Sequence, residues 1–327
     1  MKKVFSCALI FFFSICIFAK SRHSAGRAYS GIFMTMPKKF HEMIVNIPDN
    51  FFEPDEIKIF RFAYPDIVFA TSFDDEKNDW KIELTVPNKP EFGADTKTGI
   101  FWWCDGRILP EEELPNADNY HPILYRYPKV LEDPKDFDEE KIRRVKEYSS
   151  RESRKNGAGT PPFFFDFLYS AKSQRTIESH IVQVKFLGHK TRIHERIKEP
   201  LRNVEKKITL LAKTDAEIKE FVDSIKSSAA YHWRIIAGTK RKSFHSYGIA
   251  VDVLPQKLGG KAIFWSWEQD RNPDGWMILP LSRRWMPPER VIEIFEEEGF
   301  IWGGKWGIWD NMHFEYHPEL ILHNFKK

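Results

Sequence analysis

Apolar residues recur at two spacings in the second half of the chain. Leu201, Val204, Ile208 and Leu211 fall three or four apart, which predicts a helix starting near Pro200. Ile218, Phe221, Val222 and Ile225 repeat the pattern behind Thr214 and Glu217, a capping-box pair, so a second helix is predicted over about 214–227. Pro287 and Pro288 open a third, whose acidic run Glu296, Glu297 and Glu298 reads as surface and ends at Gly299, a natural residue just past a helix. Strand character is expected over 180–186, 249–254 and 312–316. Helices and strands in this order predict an α+β domain with an antiparallel sheet and flanking helices over 163–327.

The first half reads differently. Short apolar and aromatic runs at 57–63, 67–70 and 80–86 are separated by Pro, Asp and Asn, which predicts short strands with frequent turns and a β-rich accessory region over 22–131. Phe101, Trp102 and Trp103 could stack on sugar rings, but aromatic clusters more often pack in a core. Residues 132–162 are dominated by charge, then by Ser150, Asn156, Gly157, Gly159 and a proline pair. They read as a linker whose charged part forms a solvated helix.

At the N-terminus, Lys2 and Lys3 precede a mostly apolar run from Val4 to Ala19. The run is short for a membrane span of about 20 residues. It predicts an export signal over 1–21, cleaved after Ser21 or alternatively after Ala19, with a retained anchor as the other reading. Cleavage would leave an exported chain without stable membrane insertion and with Cys104 as its one cysteine, so no internal disulfide is expected.

Composition changes the picture little. The 327 residues are 42% hydrophobic and 30% charged, enough for one large core or two smaller ones. A formal charge of +3 gives no reason to expect a nucleic-acid partner.

The chemistry is concentrated in two stretches, Ser243 to Asp252 and Asp310 to Glu315. His245, Asp252 and His313 are a nitrogen and oxygen donor set of the kind that holds a catalytic zinc, leaving a fourth position where water is acidified. Gly248 and Ala250 remove bulk between the first two. Val251 and Val253 flank Asp252 in an alternation that sends the carboxylate to one face of a strand. Asp310, three residues before His313, is placed to take up a proton. Other apparent motifs fail: the glycine spacing from Gly299 to Lys305 lacks the hydroxyl residue of a phosphate loop, because Trp306 follows. His194-Glu195 lacks a second histidine, since Lys198 stands there.

The pattern through Ser243, His245, Gly248, Ala250, Asp252, Asp310 and His313 resembles the M15 family of zinc peptidases, a group that includes D-alanyl-D-alanine carboxypeptidases and L-alanyl-D-glutamate endopeptidases. The words around Trp233 to Thr239 and Gly299 to Trp306 are similar to the endopeptidase-like branch. The resemblance implies a hedgehog-like zinc peptidase domain with one Zn2+ on His245, Asp252 and His313. It implies Asp310 as general base, Arg234 as oxyanion partner and Ser243 as a contact to substrate backbone. Glu315 reads either as an orienting acceptor for a ligating histidine or as a surface carboxylate. The implied substrates are peptidoglycan stem peptides, cut as an L-alanyl-D-glutamate endopeptidase or a D-alanyl-D-alanine carboxypeptidase. A catalytically silent zinc module that binds cell wall is the alternative, against which an intact Asp310 argues. The aromatic residues Phe264, Trp265, Trp267 and Trp276 are expected to wall the cleft, with Trp306, Trp309, Met312 and Phe314 desolvating Asp310. Oligomeric state is not legible in the sequence.

Overall fold

Residues 53–86 and 97–325 are described by a computed structural model. The export signal expected over 1–21 lies outside the described residues. None of the described helices is long and apolar enough to cross a membrane.

The run 57–63, expected as a strand, instead lies in helix α1, Asp55–Ala63. Its Ile57, Phe60 and Ala63 recur every three residues and are buried together with Ile59, so a helical stripe wins over a β-branched and aromatic composition. Strands β1 (Val68–Asp74), β2 (Asp79–Val86) and β3 (Lys97–Trp102) follow as an antiparallel sheet in that order. Phe101, Trp102 and Trp103 are buried, as core packing requires.

The charged run becomes helix α2, Glu139–Ser149, capped by the Asp138 carboxylate on the Lys141 N–H. It is not wholly solvated, because Val145 inserts among Trp265, Trp276 and Trp309. Short helices α3 (Arg151–Asn156), α4 (Phe163–Leu168) and α5 (Gln174–Glu178) lead to a hairpin of β4 (Ile181–Phe186) and β5 (His189–His194). Phe60 of α1 meets Phe164 of α4 edge to face at 5.3 Å.

Helix α6, Lys198–Leu211, buries Leu201, Val204 and Ile208 as its periodicity predicts. Helix α7 is shorter than expected, Ala216–Ser224, and its cap is Asp215, whose carboxylate accepts from the Glu217 and Ile218 N–H groups, rather than Thr214. Ile225 leaves the helix to open strand β6, Ile225–Ala229. Strand β7 (Ala250–Pro255), helices α8 (Trp265–Arg271) and α9 (Glu289–Glu297), strands β8 (Phe300–Trp302) and β9 (His313–Tyr316) and helix α10 (Pro318–Phe325) complete the chain. Gly299, at φ 90°, ends α9. The glutamates there, expected at the surface, are instead partly buried because each is held by a partner: Glu296 by Lys305 and Tyr127, Glu297 and Glu298 by Lys207.

The four strands β6-β7-β9-β8 form one antiparallel sheet. One face carries Val251, Val253, Phe314 and Trp302, all fully buried, and Phe295 of α9 stacks on Phe314 at 3.8 Å. The other face carries Asp252, His313 and Glu315. An apolar face anchored on a helix fixes the sheet, and the polar face inherits its rigidity.

Candidate metal centre

His245 stands in a tight turn, Phe244–Tyr247, ahead of β7. Gly248 closes that turn in the left-handed region, φ 67° and ψ 21°. A Cβ there would sit 2.7 Å from both the His194 nitrogen and Ile181 Cδ1, so the absent side chain also lets the turn lie against the β4–β5 hairpin. The His194 N–H donates to the Gly248 carbonyl at 2.8 Å.

Asp252 and His313 are direct partners across β7 and β9, which sends both side chains off the same face. Asp252 Oδ1 lies 2.7 Å from His313 Nδ1, and Oδ2 lies 3.3 Å from His245 Nε2. One donor atom from each of the three falls within 4.8 Å of the others. The far side of each imidazole is tied. His245 Nδ1 is 2.6 Å from the Ala230 carbonyl, which only accepts, so the proton sits on Nδ1 and Nε2 offers its lone pair. That Nε2 is buried and makes no hydrogen bond among the described residues. His313 Nε2 is 2.8 Å from Glu315 Oε1. Two imidazoles and a carboxylate, each imidazole oriented by an acceptor behind it, fit a divalent ion of the zinc type.

The electrostatics agree. Burial alone would raise the Asp252 carboxyl, but the two imidazoles against it, His313 by a hydrogen bond and His245 at 3.3 Å, outweigh it and hold the group well below the usual carboxylate range. Burial would lower His313, yet its bonds to Asp252 and Glu315 leave it well above an ordinary imidazole. A cation entering here would displace the His313 proton and take over its role as countercharge. Glu315, one of the two readings open in the sequence, is no surface carboxylate: it is buried, and despite burial its bonds to His313 and His317 bring it down to about 2.

Asp310 lies on the loop entering β9. Its N–H donates to the Gly303 carbonyl, and a Cβ on Gly303 would meet the Asp310 carbonyl at 2.7 Å, so a glycine is needed for that approach. Its Oδ1 is buried without a hydrogen-bond partner among the described residues. Burial pushes the carboxyl up to about 7, with the His313 charge opposing and that of Asp252 reinforcing.

The remaining expected residues fall around this centre. Ser243 is buried, and its Oγ accepts from the His245 N–H at 3.3 Å, capping the turn. Arg234 has its backbone bonded to Ser246 Oγ at 2.8 Å through both N–H and carbonyl, while its side chain stands in an exposed position. Of the aromatic wall, Phe264 pairs by backbone with Asp310, and Trp267 meets it edge to face at 5.7 Å. Trp265 and Trp276 are instead buried behind, with Trp309. The Ala230 carbonyl was not legible in sequence, since a backbone acceptor leaves no mark in residue type.

Residues 237–316 match an M15 peptidase family described as D-alanyl-D-alanine carboxypeptidase. Residues 56–125 match a family described as a domain of unknown function, DUF8518. The peptidoglycan L-alanyl-D-glutamate endopeptidase CwlK of Bacillus subtilis (strain 168) is 38% identical over 65 residues, 20% of this chain and 33% of its own length. The chain thus spans about a third of that relative. No solved structure matches the chain.

Proposed function

We propose, for a chain whose residues 237–316 belong to the M15 peptidase family, that it is a zinc-dependent hydrolase of amide bonds in peptidoglycan stem peptides. The observation that carries this reading is the convergence of His245, Asp252 and His313 within 4.8 Å, beside a buried carboxyl lifted to about 7. CwlK is an endopeptidase by name, and its likeness favours the L-alanyl-D-glutamate bond over a terminal D-alanine.

His245, Asp252 and His313 would hold one zinc ion. When bound, such an ion supplies Lewis acidity towards a carbonyl and an acidified water. Asp310 accepts the proton of the attacking water and returns it to the leaving amine, which suits a carboxyl near neutrality. Arg234, on the exposed segment bonded to the His245 turn, offers its cation to the oxyanion. Ser243 uses an oxygen lone pair on the His245 N–H and keeps a hydroxyl proton to donate to substrate backbone. Phe264 shields the approach to Asp310. A peptidoglycan substrate requires export, in keeping with the N-terminal address in the sequence.

Purified protein incubated with muropeptides, with and without chelator, tests the reading by mass spectrometry. Cleavage between L-alanine and D-glutamate that stops with chelator is the expected result, and loss of a single alanine would instead make it a carboxypeptidase. Intact muropeptides under zinc-replete conditions would leave only a silent cell-wall module.

A further inference from the structure

The polar stripe that holds the metal ligands does not stop at Glu315. His313, Glu315, His317 and Glu319 alternate with Phe314, Tyr316 and Pro318, so every second side chain from β9 into the start of α10 is ionisable. All four are buried: His313 is 6% exposed, Glu315 7%, His317 3% and Glu319 0%. Such a row inside a protein costs stability unless each member is paired.

Each one is paired, and the pairs run in a single line. His313 Nε2 is 2.8 Å from Glu315 Oε1, and Glu315 Oε2 is 3.3 Å from His317 Nε2. His317 Nδ1 is 2.7 Å from Glu319 Oε1, and the Tyr64 hydroxyl donates to Glu319 Oε2 at 2.6 Å. Phe244 and Phe165 pack edge to face on the His317 ring at 4.5 and 5.5 Å, which leaves it little room to turn. The line ends on Tyr64, immediately after α1, inside the 56–125 segment whose family description assigns no role.

We propose that Tyr64, Glu319 and His317 are positioning residues for the metal centre, and that one task of the N-terminal segment is to lock His313 in its ligating orientation through this buried chain. The inference rests on the metal-site reading above. Each carboxylate has one oxygen committed to each neighbour, so a shift at Tyr64 is transmitted as a rotation of Glu319, then His317, then Glu315. Partners that fix a ligating imidazole set the direction of its lone pair, and their loss typically weakens metal binding by about 10- to 100-fold.

The test is zinc affinity of the full chain, measured by competition with a chromophoric chelator, for wild type, Tyr64→Phe, Glu319→Gln and Tyr127→Phe, with urea denaturation in parallel. Tyr127 serves as control because its hydroxyl is also buried, yet it bonds Glu296 and the Trp302 N–H, away from the chain. Tyr64→Phe removes one oxygen and leaves the ring packing, so it keeps the comparison valid should Glu319→Gln fold poorly. The expected result is a loss of about 10-fold or more in zinc affinity for Tyr64→Phe and Glu319→Gln, with Tyr127→Phe unchanged. A wild-type chain that takes up no zinc overturns the metal centre and this inference with it. Wild-type affinity in Tyr64→Phe, with any loss confined to the urea midpoint or shared by Tyr127→Phe, overturns the inference alone.

Discussion

Replacing Asp310 by Asn should stabilise the metal-free protein, and increasingly so as pH rises. Burial lifts this carboxyl from an ordinary 3.8 to about 7. Between those values the folded chain keeps a proton that the unfolded chain has lost, so the group's contribution is fully present below about pH 4 and is lost as pH passes 7. The gap, at about 1.4 kcal/mol per pH unit, corresponds to roughly 4 kcal/mol. The carboxyl Oδ1 is buried but the residue as a whole keeps some exposure, and residual solvent screening brings this to about 2–4 kcal/mol. Asn has no proton to lose and escapes the cost. Urea denaturation in the presence of EDTA, from pH 5 to pH 8.5, should show the gap between the two proteins narrowing towards the acid end and Asp310→Asn furthest ahead at the alkaline end. With the proposed zinc bound, its charge would favour the ionised carboxyl, so the acid limb of kcat/KM should fall below pH 7 and vanish in the variant with most of the activity. A stability difference that does not change with pH, or full activity in Asp310→Asn, would refute the reasoning.

Other substitutions test the scaffold. His245→Ala removes an imidazole whose Nε2 faces Asp252 and makes no hydrogen bond among the described residues, and zinc stoichiometry by mass spectrometry under native conditions should fall from one to none. Gly248→Ala places a Cβ at positive φ and 2.7 Å from the His194 nitrogen; a loss of roughly 2–4 kcal/mol is expected in urea denaturation. Glu53 and Arg61 form a buried ion pair, joined by Arg61 Nη2 to Glu53 Oε2 at 2.9 Å, and Glu53→Ala should cost about 3–5 kcal/mol by leaving the guanidinium without a countercharge and with Thr71 Oγ1 as its acceptor. A loss under 1 kcal/mol in the same assay would mean that water replaces the carboxylate.

Much of the centre was legible because it is written in short stretches. Val251 and Val253 about Asp252 already specify which way the carboxylate points, and strand alternation alone carries that information. The same alternation runs from His313 to Glu319, but spacing alone does not mark His317 and Glu319 as part of the centre. Ionisable residues at every second position usually mark a solvent face, and burial is a property of the whole fold. Helix α1 departs from its expected strand for a related reason. A seven-residue apolar run fits either period, and the packing of Phe60 against Phe164, about a hundred residues away, decides between them. Ile225 left its predicted helix because pairing with Pro255 in the sheet outweighs one more turn.

Residue type and spacing were enough to name the donor set, its acid-base neighbour and the family it resembles, because ligand chemistry permits few alternatives. Tertiary structure alone decided that the donors meet, that Asp310 loses its water, and that Tyr64 reaches Glu319 across 255 positions. Contacts at that separation come from how the layers pack, and no local pattern encodes them.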